Sequence, residues 1–345
     1  MTAITDQRPY GRQLHRFRAA DHRPPPGPPP LWADHAGRAP LELPLWGLST
    51  RQIAAAAHLA PDCSYRMARV SMVVALTHNL CLTLDPFAIE VHLANLDPDM
   101  RGFAVEGVGM GLFTREAAGE PPETLDRFLA GTGALFSGLA YTGVGLAHVH
   151  LRRPFDPSLV GRWSGVGRWN VLDGVGFWAA KVDWDRFGVR RELWPGVRGE
   201  HLRNFDRGLG RSGWFENGAR VERVAEWVRG FPEDRRRDVA LGVGVASTFT
   251  GGVEADDLRL LRERLAEFAD DLAAGSVNAA ETRYGAGIDT PYTARATGAL
   301  AGMSVEDAYA AARSARETLR DDGYPALLAW YDRLRSSARE PTGVA

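Results

Sequence analysis

A short pattern, Gly–aliphatic–Gly, recurs along the chain and limits the folds open to it. Five copies follow one another in steps of 36, 31, 34 and 34 residues, at 107–109, 143–145, 174–176, 208–210 and 242–244. Glycine inside a helix costs about 1 kcal/mol relative to alanine, so its recurrence needs a compensating contact. Pairs of glycines let helices approach closely, and steps of about 34 residues are typical of helix–turn–helix arrays. The pattern therefore predicts stacked helices that touch at glycines, although a sixth copy at 165–167 breaks the spacing.

The segments between these motifs also favour helices. Leu258, Leu261 and Leu265 are spaced to fall on one helical face, with charged residues on the other. Ser304 and Asp307 form a capping-box pattern at the start of an alanine-rich stretch. No alternating apolar and polar runs bounded by turn residues stand out. The expected fold class is all-α, a helical-repeat-like bundle.

Composition changes mark the domain boundaries. Residues 1–45 contain a proline run at 24–30 and are expected to form a flexible arm. Residues 46–336 are expected to form a single all-α domain, with related halves at about 50–152 and 157–252 followed by C-terminal helices at 253–336. Residues 337–345 are expected to be a short tail.

Charge and cysteine content exclude several classes of protein. A net charge of −2 argues against a general nucleic-acid or membrane-surface binder. The two cysteines, Cys63 and Cys81, suit a reducing compartment, and no signal peptide or bilayer-spanning segment is apparent. We therefore expect a cytoplasmic protein with no nucleic-acid partner and no stable membrane insertion. Lys181 is the only lysine among 41 basic residues, so a Schiff-base mechanism could use only that side chain.

Charged residues precede three of the glycine motifs and are the candidate catalytic and binding groups. Glu106, Asp173 and Arg207 would converge if the motifs superpose, and Arg211 lies four residues after Arg207 on the same helical face. Asp206 is adjacent and joins Glu106 and Asp173 as a third candidate acid. Two interpretations remain open. The charges form a structural ion-pair network, or the arginines hold an anionic ligand beside a carboxylic acid whose pKa burial raises.

Aromatic residues concentrate around these charges. Seven of the ten tryptophans lie between residues 163 and 227, where most are expected to belong to the core. A cavity lined by aromatic rings would suit an elongated apolar ligand or a cation over the ring faces. The candidate substrate-binding residues are therefore Arg207 and Arg211 with Trp178, Trp214, Phe103 and Phe177.

Three further motifs are interpreted as structural. "GLGRSG" at 208–213 matches a dinucleotide fingerprint formally, but a polar segment precedes it where a hydrophobic strand is required. "HVH" at 148–150 falls at the end of a predicted helix, where the two histidines diverge, so no metal site is expected. "DPDM" at 97–100 and paired aspartates at 256–257, 270–271 and 321–322 are interpreted as helix-start or surface acids.

Four segments resemble a bacterial family of unknown function of about this length. They are "RGFAVEGVGMGL" (101–112), "DGVGF" (173–177), "FDRGLGRSGWF" (205–215) and "FPEDRRRDVALGVGVASTFTGG" (231–252). Members of that family are often encoded beside iterative polyketide synthases, including those of enediyne clusters. The resemblance spans about residues 50–320. It implies a role in specialised metabolism on a polyene or polyketide-type intermediate, and it implies no particular reaction.

These observations together favour a biosynthetic enzyme that carries out acid/base cyclisation or isomerisation of an apolar intermediate without a cofactor. Glu106 and Asp173 would exchange protons with the substrate, and Arg207 and Arg211 would stabilise negative charge. The alternatives are a terpenoid cyclase acting through a carbocation and a non-catalytic accessory or carrier protein of a polyketide synthase cluster. The expected partners are the apolar small molecule and a polyketide synthase or another pathway enzyme.

Overall fold

A computed structural model describes residues 41–43, 61–317, 319 and 323–339. Apart from residues 41–43, the predicted arm lies outside the described residues. Of the predicted tail at 337–345, residues 337–339 are described and belong to the last helix, and the rest lies outside the described residues. The described chain contains helices and no strands, which confirms the all-α prediction. The α-helices are α1 (Pro61–Thr83), α2 (Pro86–Asn95), α3 (Pro98–Ala117), α4 (Glu123–Ala130), α5 (Ser137–His150), α6 (Pro157–Val160), α7 (Asn170–Val182), α8 (His201–Glu216), α9 (Val221–Arg229), α10 (Glu233–Thr250), α11 (Ala255–Arg264), α12 (Ala269–Gly285), α13 (Pro291–Leu300), α14 (Val305–Glu317) and α15 (Tyr324–Arg339).

Local sequence accounts for where many of these helices begin. Asp85, Asp97 and Asp156 each precede a proline and accept a hydrogen bond from a backbone N–H of the following turn. The "DPDM" motif is thus the start of α3. The aspartate pairs at 256–257 and 270–271 lie in the first turns of α11 and α12. The pair at 321–322 lies outside the described residues.

The Gly–x–Gly motifs are the points at which successive helices touch. The helices that meet at these motifs pack one after another in a series. In each motif the first glycine faces the preceding helix of this series, and the second glycine faces the following helix. Gly208 faces the Asp173 carbonyl of α7, for example, and Gly210 faces the Val239 carbonyl of α10. A Cβ atom at any of the ten positions would lie well within 3.0 Å of a neighbouring backbone carbonyl oxygen. The glycines therefore pack helices, as the sequence predicts.

The series runs α1, α3, α5, α7, α8, α10, α12, and it curves back on itself. Phe103 of α3 packs edge-to-face on Phe249 of α10, with 5.1 Å between the ring centroids. Arg283 of α12 pairs with Asp99 at the start of α3, with 3.1 Å between nitrogen and oxygen. The same kind of glycine contact between helices recurs along the whole series. The predicted division into two related halves stays a prediction.

In the described residues no single helix combines the length and the apolar character needed to cross a bilayer. Two consecutive helical segments, Glu123–Ala130 and Ala134–His150, are long and apolar enough only when taken together, and they are bent by 94° relative to each other.

A short N-terminal segment, 41–43, is bound between α1 and α5. The Leu41 carbonyl accepts a hydrogen bond of 2.9 Å from Nε2 of both His78 and His150, so both imidazoles carry a proton on that nitrogen. Asn79 bonds to the backbone N–H and carbonyl of Leu43, each at 2.8 Å. Burial lowers the pKa of His78 to about 4 and also lowers that of His150, so both rings are neutral at pH 7.

His148 provides a test of how this region responds to pH. Its ring stacks on Phe113 at 5.1 Å, and neither ring nitrogen has a hydrogen-bond partner among the described residues. Burial, followed by the nearby Arg153 charge, lowers its pKa from 6.5 to about 4. The unfolded chain therefore binds a proton below pH 6.5 that the folded protein binds only near pH 4. The free energy of unfolding is therefore not reduced by this difference in proton binding above about pH 6.5, and it falls as the pH is lowered from 6.5 toward 4.

We expect His148→Phe to keep the ring stack and to stabilise the protein, with the larger gain in acid. The expected gain in free energy of unfolding at pH 5 from removal of the proton linkage is about 2 kcal/mol. Denaturant titrations at pH 7.5 and pH 5 measure both values. His78→Phe is the matched control and should be destabilising at pH 7.5, because it removes the bond to Leu41. A loss of stability in His148→Phe at both pH values would contradict this account.

Candidate functional site

Three crossing helices bring four of the predicted charged residues together in the interior. Glu106 lies on α3, Asp173 on α7, and Arg207 and Arg211 on α8. All four are buried. Each of Glu106, Asp173 and Arg207 stands immediately before a glycine motif, so the close contact of the helices draws their side chains toward one point. We call Glu106, Asp173, Arg207 and Arg211 the acid–arginine cluster.

Asp173 is the centre of the cluster. Its Oδ2 accepts a hydrogen bond of 2.7 Å from Nε of Arg207, and its Oδ1 accepts one from Nη1 of Arg211. Burial alone would raise the pKa of this carboxyl group, but the two guanidinium groups together hold it below its ordinary value. Asp173 is therefore an ionised carboxylate with both oxygens occupied.

Arg207 is held through all three of its nitrogens. Besides the bond to Asp173, its Nη2 donates to Oδ1 of Asn170 at 2.7 Å, and its Nη1 donates to the Tyr331 hydroxyl. Tyr331 in turn donates to the Asn204 side chain at 3.2 Å. Sequence reasoning missed Asn170 and Tyr331 as partners of Arg207, and also Asn204, which bonds to Tyr331. Tyr331 lies 124 residues after Arg207, and no local pattern marks it.

Glu106 differs from Asp173 in its surroundings. Its Oε1 accepts a 2.7 Å hydrogen bond from Nη2 of Arg211, and among the described residues no hydrogen bond reaches Oε2. Burial raises the pKa of this carboxyl group, the Arg211 charge opposes the change, and the Asp173 carboxylate adds to it. One arginine thus bridges two carboxyl groups whose pKa values are displaced in opposite directions.

An aromatic wall adjoins Arg211. Its guanidinium lies over the ring of Phe177 at 4.9 Å, and Phe215 meets that ring edge-on at 5.8 Å. Arg211 also retains 11% exposure of its side chain, compared with 3% for Glu106. Approach to the Glu106 carboxyl group would therefore run beside Arg211 and Phe177.

Asp206 does not join the acid–arginine cluster. Adjacent residues of a helix point about 100° apart, and Asp206 pairs with Arg235 of α10 instead, with a bond of 2.9 Å to Nε. Burial raises the pKa of Asp206 to about 7, against the opposing effect of Arg235. The structure gives Asp206 a separate ion pair at the α8–α10 contact.

The remaining predicted aromatic residues differ in their surroundings. Phe103 is buried against Phe249 and near Arg283, at the closure of the helix series. Trp214 is fully buried, whereas Trp178 is half-buried, and the indole N–H groups of both lack a hydrogen-bond partner among the described residues. Of the four aromatic candidates, Phe177 is the one whose ring lies against a guanidinium group of the acid–arginine cluster.

Other buried arginine–aspartate pairs stabilise the fold elsewhere. Arg335 bonds to Asp271 and Asp238, and Arg66 bonds to Asp99. Burial raises the pKa of Asp206 and of Asp271 as well as that of Glu106, so the acid–arginine cluster is distinguished by one arginine that bridges a carboxyl group of raised pKa and one of lowered pKa. In the part of the chain described here, no group of three or more His, Cys, Asp or Glu side chains is placed to hold a metal ion.

The fold and this site define an all-α protein with a glutamic acid and an ionised aspartate bridged by arginine inside a curved series of glycine-packed helices. The chain belongs to the DUF1702 family, described as proteins of unknown function, whose model matches residues 64–338. Searches of curated proteins and of solved structures found no match.

Proposed function

We propose that the protein is a cytoplasmic enzyme of natural-product biosynthesis that cyclises or isomerises an apolar polyene or polyketide-type intermediate by proton transfer. Glu106 is the proton donor. The observation that carries the proposal is the geometry of two buried carboxyl groups bridged by Arg211: both oxygens of Asp173 accept hydrogen bonds from arginines, whereas Glu106 accepts one through Oε1 alone. Burial raises the pKa of Glu106 and so favours its protonated form, while the two guanidinium groups lower the pKa of Asp173.

The remaining groups support that proton transfer. When Glu106 gives up its proton, the new carboxylate already lies 2.7 Å from Arg211, so the charge is stabilised without rearrangement. Asp173 holds Arg207 and Arg211 in place and, with both oxygens occupied, is poorly placed to accept the substrate proton. Arg207 acts with it as a positioning residue. The deprotonated Glu106 would take up the second proton, which returns the site to its starting state.

The aromatic rings of Phe177 and Phe215 suit an apolar substrate beside Arg211. Their faces would also lower the energy of a transient carbocation formed by protonation of a double bond. A terpenoid or a polyketide-derived polyene would fit this chemistry equally, and the resemblance to proteins encoded with enediyne and other polyketide synthases favours the second. A synthase of the same pathway is the expected supplier of substrate.

Replacement of Glu106 with glutamine in the native strain tests the function. Glutamine keeps the size of the side chain but provides no acidic proton, so the final metabolite should fall by about 100-fold or more, in line with loss of a general acid. Because isomerisation and cyclisation leave the mass unchanged, the compound that accumulates should have the mass of the missing product in liquid chromatography–mass spectrometry.

A deletion strain and a Glu281→Gln strain are the controls for this experiment. Glu281 is an acid outside the cluster that pairs with Arg316 at 3.2 Å. If deletion abolishes the metabolite while Glu106→Gln supports it normally, the protein acts as an accessory or carrier and the catalytic proposal is wrong.

A further inference from the structure

The only lysine of the chain occupies a second buried polar site that the acid–arginine cluster does not use. Lys181 lies in the last turn of α7, and its side chain is 7% exposed. Its Nζ has no hydrogen-bond partner among the described residues. The nearest charge is Oε1 of Glu216, at the end of α8, 3.9 Å away and beyond hydrogen-bonding distance.

The environment of Lys181 favours the neutral amine. Burial lowers the pKa of Lys181 from 10.5 to about 8, with Glu216 opposing the change. At pH 7 about one lysine in ten would then be an uncharged nucleophile, compared with roughly one in three thousand for an ordinary lysine. An ammonium group kept only for stability would be expected to form hydrogen bonds, because an unpaired buried charge is costly.

The surroundings of Lys181 are apolar and close to solvent. Nζ lies 5.3 Å from the centre of the Phe215 ring, and Val182, the next residue, is 50% exposed. Trp178, one turn earlier on α7, presents a buried indole N–H that also lacks a hydrogen-bond partner among the described residues. A polar atom that approaches Nζ would therefore meet an amine and a carboxylate beside aromatic carbon.

We propose that Lys181 is a nucleophilic amine that forms a Schiff base with the aldehyde or ketone carbonyl of an apolar molecule, with Glu216 transferring the protons. The Nζ lone pair attacks the carbonyl carbon, and the electron pair of the C=O bond moves to oxygen. Glu216 takes the two amine protons in turn and passes each to that oxygen. The oxygen leaves as water and the C=N bond forms, so amine and carbonyl become imine and water.

This site is separate from the acid–arginine cluster and does not depend on the proposed function. Eight residues of α7, or about 12 Å of helix, separate Asp173 from Lys181. The rings of Phe177 and Phe215 lie between Arg211 and Lys181, each in contact with one of them. The assay for Lys181 measures an adduct and requires no knowledge of the metabolite.

Reductive trapping with octanal and sodium cyanoborohydride tests the proposal on the full-length protein at pH 7. Lys181 and the N-terminal amine are the only primary amines, so peptide mass spectrometry assigns every adduct, and the N-terminus is an internal reference. We expect Lys181 to be alkylated at least about tenfold faster in the folded protein than in guanidinium chloride, because unfolding restores its ordinary protonation. A lysine that is merely buried would react faster once unfolded, and that result would overturn the proposal.

Two variants and a second aldehyde complete the test. Lys181→Arg should carry the adduct only at the N-terminus. Glu216→Gln, verified as folded by circular dichroism, should react at least about tenfold more slowly at Lys181, and its rate should vary with pH differently from the wild type. Glyoxylate, a polar aldehyde, should label Lys181 poorly. Equal labelling of Lys181 by glyoxylate and by octanal would contradict an apolar ligand. If Glu216→Gln does not fold, the comparison of folded with unfolded wild-type protein still tests the reactivity of Lys181.

Discussion

Gly208→Ala should prevent the protein from folding or lower its free energy of unfolding by about 3 kcal/mol or more, since the new methyl group has no space and meets backbone. The added Cβ atom would overlap the carbonyl oxygen of Asp173 and approach the amide nitrogen of Phe177, neither of which can move without displacing α7. Denaturant titration followed by circular dichroism measures the change.

Gly298→Ala is the matched control for this substitution. Gly298 also lies inside a helix, α13, but apart from its chain neighbours and the backbone of its own helix no described atom lies within 4 Å of a Cβ built there. Alanine should therefore stabilise the protein by up to about 1 kcal/mol through helix propensity alone. Equal effects at the two positions would show that α7 and α8 do not touch at Gly208.

Asp173→Asn is expected to be the most damaging change within the acid–arginine cluster. Asparagine has nearly the same shape, but it leaves Arg207 and Arg211 without their shared negative charge in the interior. Breaking a buried ion pair by neutralising one partner typically costs about 3–5 kcal/mol. The melting temperature and the free energy of unfolding should both fall sharply. Asp256→Asn should lower the free energy of unfolding by no more than about 1 kcal/mol, because that aspartate lies in the first turn of α11 and pairs with Arg259 at the surface.

The same substitution carries a prediction for Glu106. The Asp173 carboxylate helps to raise the pKa of Glu106, and in its absence Arg211 would favour the ionised form of Glu106 more strongly. Where Asp173→Asn remains folded, carboxyl titration by NMR should show the pKa of Glu106 below its wild-type value. An unchanged value would mean that the two carboxyl groups do not interact through Arg211.

The sequence indicated the helix contacts because their cause is steric and local. A glycine pair weakens an apolar helix unless another helix packs against it, and the even spacing pointed to successive helices. The convergence of Glu106, Asp173, Arg207 and Arg211 followed from the same reasoning, since each charge has a fixed offset from a glycine contact. Asp206 also lies beside the motif, but successive side chains of a helix point about 100° apart, so Asp206 and Arg207 face different neighbours. The spacing of the motifs alone does not show which of the two faces the other charges.

Other parts of the site carried no signal in the sequence. Tyr331 contacts Arg207 only because α15 packs near the series, and its neighbours "AWYDR" resemble any amphipathic helix. The 3.9 Å between Lys181 and Glu216 likewise depends on how far α7 and α8 extend beyond their glycine contact. Such contacts join residues that are distant in sequence, and only the packed helices define them.

The closed series of helices also has a consequence for synthesis. Glu106 pairs with Arg211, 105 residues later, and the Arg66 side chain donates to a carbonyl 184 residues later. At translation rates of about 5–20 residues per second, the glutamate emerges roughly 5–20 s before its arginine. During that interval the nascent helices have neither their charge partners nor their later neighbours, so chaperones that shield apolar segments would act on this stage of folding.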